Sequence, residues 1–502
     1  MPKGIALCSC RVGLTPKPHG WLKPLGRDRP IISTVTTPLV HAPPPAPTRS
    51  RYRGFGPSML VWLWIGLALL VGVAFPALSS NATGTIGRLL PLAIVAATGM
   101  LLLAVTRPDW LFVLAFGLLA FVRVEPAPVD LAFILLIVVV ALRSGRESLP
   151  LPPAIVVALL LFVPVTILSM INTNDWGVAL KFEGITLYLI ALGVFLPLML
   201  RNRGLIAPAI KAYILVAAFT ALLGLLALQV GLPGGSALVY QGSRVQAFFK
   251  DPNVFGPFLV PALAIVLEEL ARPRLLGWTT RRSALVAIVL AVGVLFSYSR
   301  AAILNLVLAG LTIFGVYLWR RRGRAAAVRL GFMLGICAVA GITLLVVTHS
   351  LTFFQSRSHL QAYDKGRFAT QGAGFRDASA HLFGYGPGQA DTNLSYSTHS
   401  IYARVAYEQG FIGLALMIVI LGATLVCAIR LVMRDGDIEG LGSAALLAAW
   451  VGLLANSFFI DTLHWRHLWI VAALIWFGVM TIRPKGSMSG SESRTAQPSS
   501  VP

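Results

Sequence analysis

The sequence predicts an all-α polytopic membrane protein with about 12–14 transmembrane helices and a long outer loop that carries short helices. Three observations favour this class. Of the 502 residues, 57% are hydrophobic and only 12% are charged, and the mean hydropathy is +0.79. A soluble domain carries about 25% charged residues. Apolar runs recur along the chain, and polar residues concentrate in the connections between them.

The N-terminal segment, residues 1–58, is basic and proline-rich, and Asp28 is its only acid. Such a segment cannot bury a hydrophobic core, so we expect a disordered cytoplasmic tail. An alternative is that translation starts at Met59, where the composition changes. Residues 59–482 form the predicted transmembrane domain, and residues 483–502 form a second disordered cytoplasmic tail.

Each apolar run of this domain approaches the roughly 20 residues that a spanning helix needs. The runs lie at 59–78, 88–106, 109–122, 129–142, 150–171, 177–200, 205–229, 254–270, 283–298, 300–319, 328–348, 405–429, 441–460 and 467–482. An even number of spans places both termini on one side, and the positive-inside rule favours the cytoplasm, because the inner connections hold most of the basic residues.

The net charge and the cysteine spacing limit the partners and ligands that we expect. A formal net charge of +22 favours contact with anionic membrane lipids or phosphorylated substrates. Nucleic acid is not expected, since no soluble basic domain is visible. The four cysteines show neither a disulfide framework nor zinc-ligand spacing, so no metal and no cofactor is predicted.

The segment RVQAFFKDPNVFG, 244–256, places Arg244, Lys250, Asp251 and Asn253 between two apolar runs. Ionisable groups at a membrane boundary indicate a functional site, because they are costly in lipid unless they face a cavity or a partner. An alternative is that Asp-Pro-Asn only starts a helix, with proline at its first position. Arg244 is harder to explain in that way, because it lies on the outer side, against the charge bias.

Three more polar clusters reach the same outer face. They are the SYSR turn that ends at Arg300, the loop 349–404 with Arg367, Arg376 and His399, and the last outer turn with Asp461, His464, Arg466 and His467. A guanidinium group can bind two phosphate oxygens at once through two parallel hydrogen bonds. A neutral histidine can accept a proton from a hydroxyl nucleophile. Together these residue types favour transfer chemistry on a lipid diphosphate over a pore.

Each candidate also has a structural interpretation. Arg300 can anchor a helix at the headgroup level. Arg367 and Arg376 can pair with Asp364 and Asp377 on a solvated surface. The histidine at 399 can serve only the start of a helix, and the pair His464 and His467 has too few neighbouring ligands for a metal site.

These residues resemble the O-antigen ligase and O-antigen polymerase superfamily, bacterial membrane glycosyltransferases that use polyprenyl-diphosphate-linked glycans. The shared features are an arginine before a DPN-F-G segment (Arg244, DPNVFG), a helix-ending Ser-Arg (Arg300), and a long outer loop. That loop contains an arginine helix, a glycine-rich turn (GYGPGQ) and a histidine that opens the next helix (His399). The resemblance covers roughly residues 205–482.

The resemblance implies a metal-independent, inverting glycosyltransferase of cell-surface polysaccharide or lipopolysaccharide biosynthesis, in the bacterial inner membrane and acting on its outer, periplasmic face. Arg244 and one of Arg300, Arg367 and Arg376 would hold the diphosphate of an undecaprenyl diphosphate donor, and His399 would activate the acceptor hydroxyl. The acceptor is a glycan, lipid or protein. The family pattern has asparagine after the histidine, whereas this chain has Ser400, which leaves the subfamily open.

Other functions remain open at this point. A transporter or flippase of lipid-linked glycans would favour broken, charged helices at the midplane and an internal repeat, and the sequence shows no clear repeat. A protein O-oligosaccharyltransferase would share the site. A peptidoglycan polymerase would instead use an acid of the outer loop, with Asp364, Asp377 and Asp391 as candidates. Lys250, Asp251, Asn253, Asp461 and Arg466 are predicted to support the site.

Overall fold

The structure is a computed structural model, and it describes residues 85–144, 148–202, 204–320, 323–359 and 361–482. The predicted tails at 1–58 and 483–502 and the first predicted run at 59–78 lie outside the described residues. Where the chain is described, it is mostly helical.

Six helices come first along the described chain. They are α1 (Thr85–Thr106), α2 (Pro108–Gly117), α3 (Pro128–Ser144), α4 (Pro153–Ser169), α5 (Trp176–Met199) and α6 (Ile206–Val230). A 3₁₀ turn, Met170–Asn172, follows α4, and another, Gly235–Leu238, follows α6. The strands β1 (Val239–Tyr240) and β2 (Arg244–Val245) then form a short antiparallel hairpin in which Tyr240 pairs with Arg244.

Ten more helices follow along the described part of the chain. They are α7 (Pro252–Ala271), α8 (Thr280–Phe296), α9 (Arg300–Trp319), α10 (Arg324–Val347), α11 (Leu351–Ser358), α12 (Ala362–Asp377), α13 (Gln389–Asn393), α14 (Ile401–Met433), α15 (Ser443–Asn456) and α16 (Arg466–Thr481). The hairpin of β3 (Asp437–Ile438) and β4 (Leu441–Gly442) joins α14 to α15. The short helices α11, α12 and α13 lie in the loop 349–404, as predicted.

Several of these helices can cross a membrane. In the described part of the chain, 7 helices are long and apolar enough: Pro153–Asn172, Trp176–Met199, Ile206–Val230, Pro252–Ala271, Arg300–Trp319, Arg324–Val347 and Ile401–Met433. Shorter apolar helices cover Ile94–Thr106, Pro108–Gly117, Ser443–Asn456 and Arg466–Thr481. The prediction of a polytopic helical membrane protein is confirmed. The run predicted at 109–122 is covered by a helix of only 10 residues, short of the roughly 20 that a span needs.

The helices that carry the predicted motifs begin at capping side chains. Asp251 accepts a hydrogen bond from the Asn253 amide at 2.8 Å, with Pro252 at the first position of α7. Ser299 caps α9, and Ser400 caps α14. A side-chain oxygen there satisfies a backbone N–H that has no partner within the helix. The DPN, SYSR and THS motifs are therefore all helix starts.

Helix α7 lies at the centre of the bundle and packs against α8, α9 and α15. Gly256 permits the contact with α9, because a Cβ atom there would come within 2.7 Å of the Ala302 side chain. This close approach brings the starts of α7 and α9 to the same end of the bundle. We call that end the site face.

Helix α14 is broken at Gly410, whose φ of 70° and ψ of −176° are not helical. A side chain there would collide with the Leu382 carbonyl. The carbonyls of Tyr407 and Glu408 lose their usual partners at the break and accept hydrogen bonds from the amides of Tyr385 and Gly386, at 3.0 and 2.9 Å. The GYGPGQ turn is thereby fixed to α14.

Candidate functional site

Two neighbouring cavities open at the site face, with volumes of about 290 and 380 Å³. We call the first the apolar chamber, because Leu304, Phe368, Phe459 and Ile460 line it. The second, the polar chamber, is lined by Tyr240, Gln241, Arg244, Asp251, Tyr396 and His399. Four residues line both chambers and form their common wall: Asn253, Arg357, Tyr363 and Arg367.

Arg244 reaches the polar chamber from β2, with only 7% of its surface exposed. Its Nε donates to the Ser297 carbonyl at 3.0 Å, and one Nη donates to the Asn253 side-chain oxygen at 3.0 Å. Burial, and then the positive charge of Arg357, lower its pKa to about 10. The guanidinium therefore remains charged at neutral pH and is held in one orientation by two neutral acceptors.

Arg367 extends from α12 into the common wall. Its guanidinium lies 5.5 Å from the ring centre of Tyr363, and burial lowers its pKa. Among the described residues, neither Arg244 nor Arg367 forms an ion pair with a carboxylate. A partly buried cation without a counter-charge is costly, so this region of the site is suited to an anionic ligand.

His399 immediately precedes the Ser400 cap and lines the polar chamber. Its backbone is in the left-handed region, with φ of 46°, and its carbonyl accepts a hydrogen bond from the Gln371 side chain at 3.3 Å. Burial, and then Arg367, lower its pKa to about 4. The imidazole is therefore neutral at pH 7, as a proton acceptor must be.

Two predicted phosphate ligands are placed differently. Arg300 lines the apolar chamber, but its Nη2 donates to both carboxylate oxygens of Asp364, at 2.6 and 2.7 Å, and its Nη1 to the His359 carbonyl. Burial would raise the pKa of Asp364, but the bonds from Arg300 hold it below its usual value. Arg376 is exposed and follows Arg367 by nine residues, which places it on the opposite face of α12.

The predicted supporting residues divide in the same way. Asp251 and Asn253 line the polar chamber, whereas Lys250 lies outside both chambers and pairs with Glu125 at 2.9 Å. Arg466 forms a two-bond pair with Asp130, and Asp461 belongs to a separate network. The structure therefore places Asp251 and Asn253 at the site, and it places the other predicted supporting residues elsewhere.

That separate network is centred on Arg404, which is 3% exposed. Its guanidinium nitrogens lie 2.6 Å from Asp391, 3.0 Å from Glu408 and 2.9 Å from Asp461. We call these four residues the Arg404 network. It joins the start of α14 to α13 and to the last turn before α16.

The remaining histidines of the last turn have structural neighbours. His464 lies 3.1 Å from the Thr186 hydroxyl on α5, and the ring of His467 packs edge-on against Phe258. Throughout the described residues, no group of three or more His, Cys, Asp or Glu side chains is placed to hold a metal ion.

Arg357 and Tyr363 were not among the site residues predicted from the sequence. The available signal was weak: Arg357 is an arginine on the predicted outer side, against the charge bias, as Arg244 is. Its place in the common wall depends on how α11 and α12 fold over the bundle. The Arg404 network was missed because only Glu408 is a helical neighbour of Arg404, whereas Asp391 and Asp461 belong to other elements whose positions depend on packing.

Comparison with protein families finds one match. Residues 285–418 match the family model described as O-antigen ligase. The matched segment includes His399 and the arginines at 300, 357, 367 and 376, but neither Arg244 nor Asp461. No match is found among curated proteins. The family predicted from the motifs is confirmed over this segment, and the chain is a polytopic membrane protein that carries a domain of the O-antigen ligase family at residues 285–418.

Proposed function

We propose that this protein transfers an oligo- or polysaccharide from a polyprenyl-diphosphate carrier to a hydroxyl acceptor. The observation that carries the proposal is a cavity that combines a neutral histidine with the buried Arg244 and the half-buried Arg367, neither of which has a carboxylate partner among the described residues. Arginines suit a diphosphate leaving group, and the histidine suits activation of a hydroxyl. The family match at 285–418 supports the same class of reaction.

In the proposed reaction, a ring nitrogen of His399 takes the proton of the acceptor hydroxyl. The acceptor oxygen attacks the anomeric carbon, and the bond from that carbon to the phosphate oxygen breaks with inversion. Arg244 and Arg367 stabilise the charge that develops on the departing polyprenyl diphosphate. No further acid is needed, because a diphosphate leaves as an anion.

The two chambers favour one orientation of the donor. The lipid chain is expected on the side of Leu304 and Phe459, in the apolar chamber, and the sugars beside Tyr240 and Tyr396, in the polar chamber. The diphosphate then meets the arginines between them. In this proposal the site face is the outer, periplasmic face of the bacterial inner membrane, and both termini are cytoplasmic.

Transfer can be tested with the purified protein in detergent. The assay combines a polyprenyl-diphosphate oligosaccharide with one of three acceptors: a lipid A core, a second lipid-linked repeat unit, or a hydroxyl-bearing peptide. We expect glycan transfer to one acceptor class, with or without a metal chelator, and we expect His399→Ala to abolish it. The acceptor that works separates ligase, polymerase and protein glycosylation.

A matched control is His359→Ala, which changes an exposed histidine of the same loop and is expected to retain transfer. If no acceptor is glycosylated, but the lipid-linked sugar crosses a vesicle membrane that contains the protein, the transferase proposal is wrong and a flippase is favoured. Loss of transfer in Asp377→Asn but not in His399→Ala would favour an acidic catalytic residue instead.

A further inference from the structure

Arg357, in the last turn of α11, is a third arginine in the common wall of the two chambers. One Nη donates to the Tyr363 hydroxyl at 2.9 Å. Its Nε is buried and has no hydrogen-bond partner among the described residues. Buried donors in folded proteins normally have partners, so this guanidinium is incompletely paired within the described residues.

The surroundings of Arg357 are cationic. Its guanidinium lies 5.7 Å from the ring centre of Tyr363, and that of Arg367 lies 5.5 Å from the same ring. In the described part of the chain, no ion pair of Arg357 with a carboxylate is present. The positive charges of Arg357 and Arg367 repel each other, and an anion bound between or beside them would offset that repulsion.

The charge of the polar chamber can be compared with that of a ligand. Its lining contains the guanidiniums of Arg244, Arg357 and Arg367 and one carboxylate, Asp251, a surplus of two positive charges. A sugar-diphosphate-lipid carries one negative charge on each phosphate, whereas a sugar-monophosphate-lipid carries only one. The lining therefore matches the charge of a diphosphate and exceeds that of a monophosphate.

We propose that Arg357 is a ligand of the donor's diphosphate and that it provides selectivity for diphosphate over monophosphate carriers. Arg244 reaches only the polar chamber, beside the sugar, and it contacts the phosphate bonded to the sugar. Arg357 reaches both chambers, with Arg367, and it contacts the phosphate nearer the lipid. Tyr363 orients the guanidinium of Arg357 through its hydroxyl. This inference rests on the function proposed above.

Binding measurements test this role without any acceptor. The probes are the same sugar linked to undecaprenol through a diphosphate or through a monophosphate, titrated separately in detergent against the full-length protein. The wild type should bind the diphosphate more tightly. In Arg357→Gln, the Kd for the diphosphate should rise about tenfold or more, and the Kd for the monophosphate less than about threefold.

The matched control is Lys365→Gln, which removes an exposed cation from the neighbouring helix and should change neither Kd. Arg357→Lys keeps the charge without the two-pronged geometry and should give an intermediate loss. Apparent melting temperatures of all variants separate loss of folding from loss of binding. An equal effect of Arg357→Gln on both probes, or no effect, overturns the inference.

The two proposals fail in different ways. If the protein binds the diphosphate through Arg357 but transfers no sugar to any acceptor, the function is wrong while the binding role stands. If transfer occurs and depends on His399, but Arg357→Gln binds and discriminates the probes as the wild type does, only the role of Arg357 is lost.

Discussion

The site cavity and the Arg404 network both contain arginines that are buried or half-buried, but they differ in whether the protein supplies a counter-charge. Arg404 lies within ion-pair distance of three carboxylates: Asp391, Glu408 and Asp461. Arg244 and Arg367 have no carboxylate partner among the described residues. The carboxylates that neutralise Arg404 tie structural elements together. Arg244 and Arg367 are not neutralised by the protein, so a negatively charged ligand is suited to supply their counter-charge.

The histidines of the two regions also differ in their surroundings. His399 faces the polar chamber, whereas His464 contacts Thr186 beside the Arg404 network. We therefore expect substitutions in the cavity to affect catalysis and binding, and substitutions in the network to affect stability. Four predictions test this division, from the largest expected effect to the smallest.

The largest effect is expected for His399→Ala, which removes the proposed proton acceptor. General-base catalysis contributes about 10²–10⁴-fold, so turnover should fall by that factor while the apparent melting temperature changes little. His464→Ala should show the opposite pattern. Turnover by single-turnover assay and thermal unfolding in detergent measure the two quantities, and a large loss of turnover in both variants would remove the distinction between the regions.

The pH profile refines the same prediction. The pKa of His399 is lowered to about 4, so the imidazole becomes protonated, and loses its ability to accept a proton, only as the pH falls through about 4. The acidic limb of kcat/KM should therefore lie well below the ordinary histidine value of about 6.5. An acidic limb near 6.5 that is absent in His399→Gln would show that the free enzyme holds this histidine in a more solvated environment.

Arg404→Ala should cost about 3–5 kcal/mol of stability, because it leaves the buried carboxylate of Glu408 without its cation. Thermal or denaturant unfolding of the purified protein measures the loss. Arg367→Ala is the matched variant from the cavity, and it should cost much less in the absence of a ligand. Equal losses in the two variants would contradict the assignment of the network to structure and the cavity to ligand.

Arg367→Gln should raise the KM or Kd for the diphosphate donor about 10–100-fold, since a hydrogen bond to a charged group contributes about 1.5–3 kcal/mol. Arg376→Gln should have little effect, because Arg376 is exposed on the opposite face of α12. Donor titrations of the two variants decide which of these arginines is the phosphate ligand. The reverse result would mean that α12 presents its other face to the substrate.

The smallest effect is expected at the Arg300–Asp364 pair, which connects α9 to the start of α12. A double-mutant cycle with Arg300→Gln and Asp364→Asn should give a coupling energy of about 1 kcal/mol in stability, limited by the partial exposure of Arg300. Additive effects on stability, together with a loss of donor binding in Arg300→Gln alone, would indicate that Arg300 is a phosphate ligand.

The sequence predicted the fold class and the helix starts well, because apolar runs and capping residues are local signals. The N-caps of α7, α9 and α14 are Asp251, Ser299 and Ser400. Each of these residues belongs to a motif that is visible in the sequence: DPN, SYSR or THS. The placement of Arg244 and His399 at one end of the bundle followed from the predicted order of spans and loops. Their meeting in one chamber depends on long-range packing.

Pairing of distant residues was not predictable in this way. Arg300 pairs with Asp364 because the start of α12 lies within hydrogen-bond distance of the start of α9, and nothing in the local sequence fixes that position. The separation of Arg367 and Arg376 follows from helical geometry once α12 is known to be continuous from Ala362 to Asp377. Without that boundary, the two arginines were equivalent candidates.

The break at Gly410 divides α14 into two parts. A continuous helix of 33 residues would be roughly 50 Å long, whereas the hydrocarbon core is about 30 Å thick. The part after Gly410 is long enough to span it, and the part before it begins beside His399, which lines the polar chamber. Gly410 and the turn bound to it therefore fix the number of residues between the histidine and the segment that can cross a membrane.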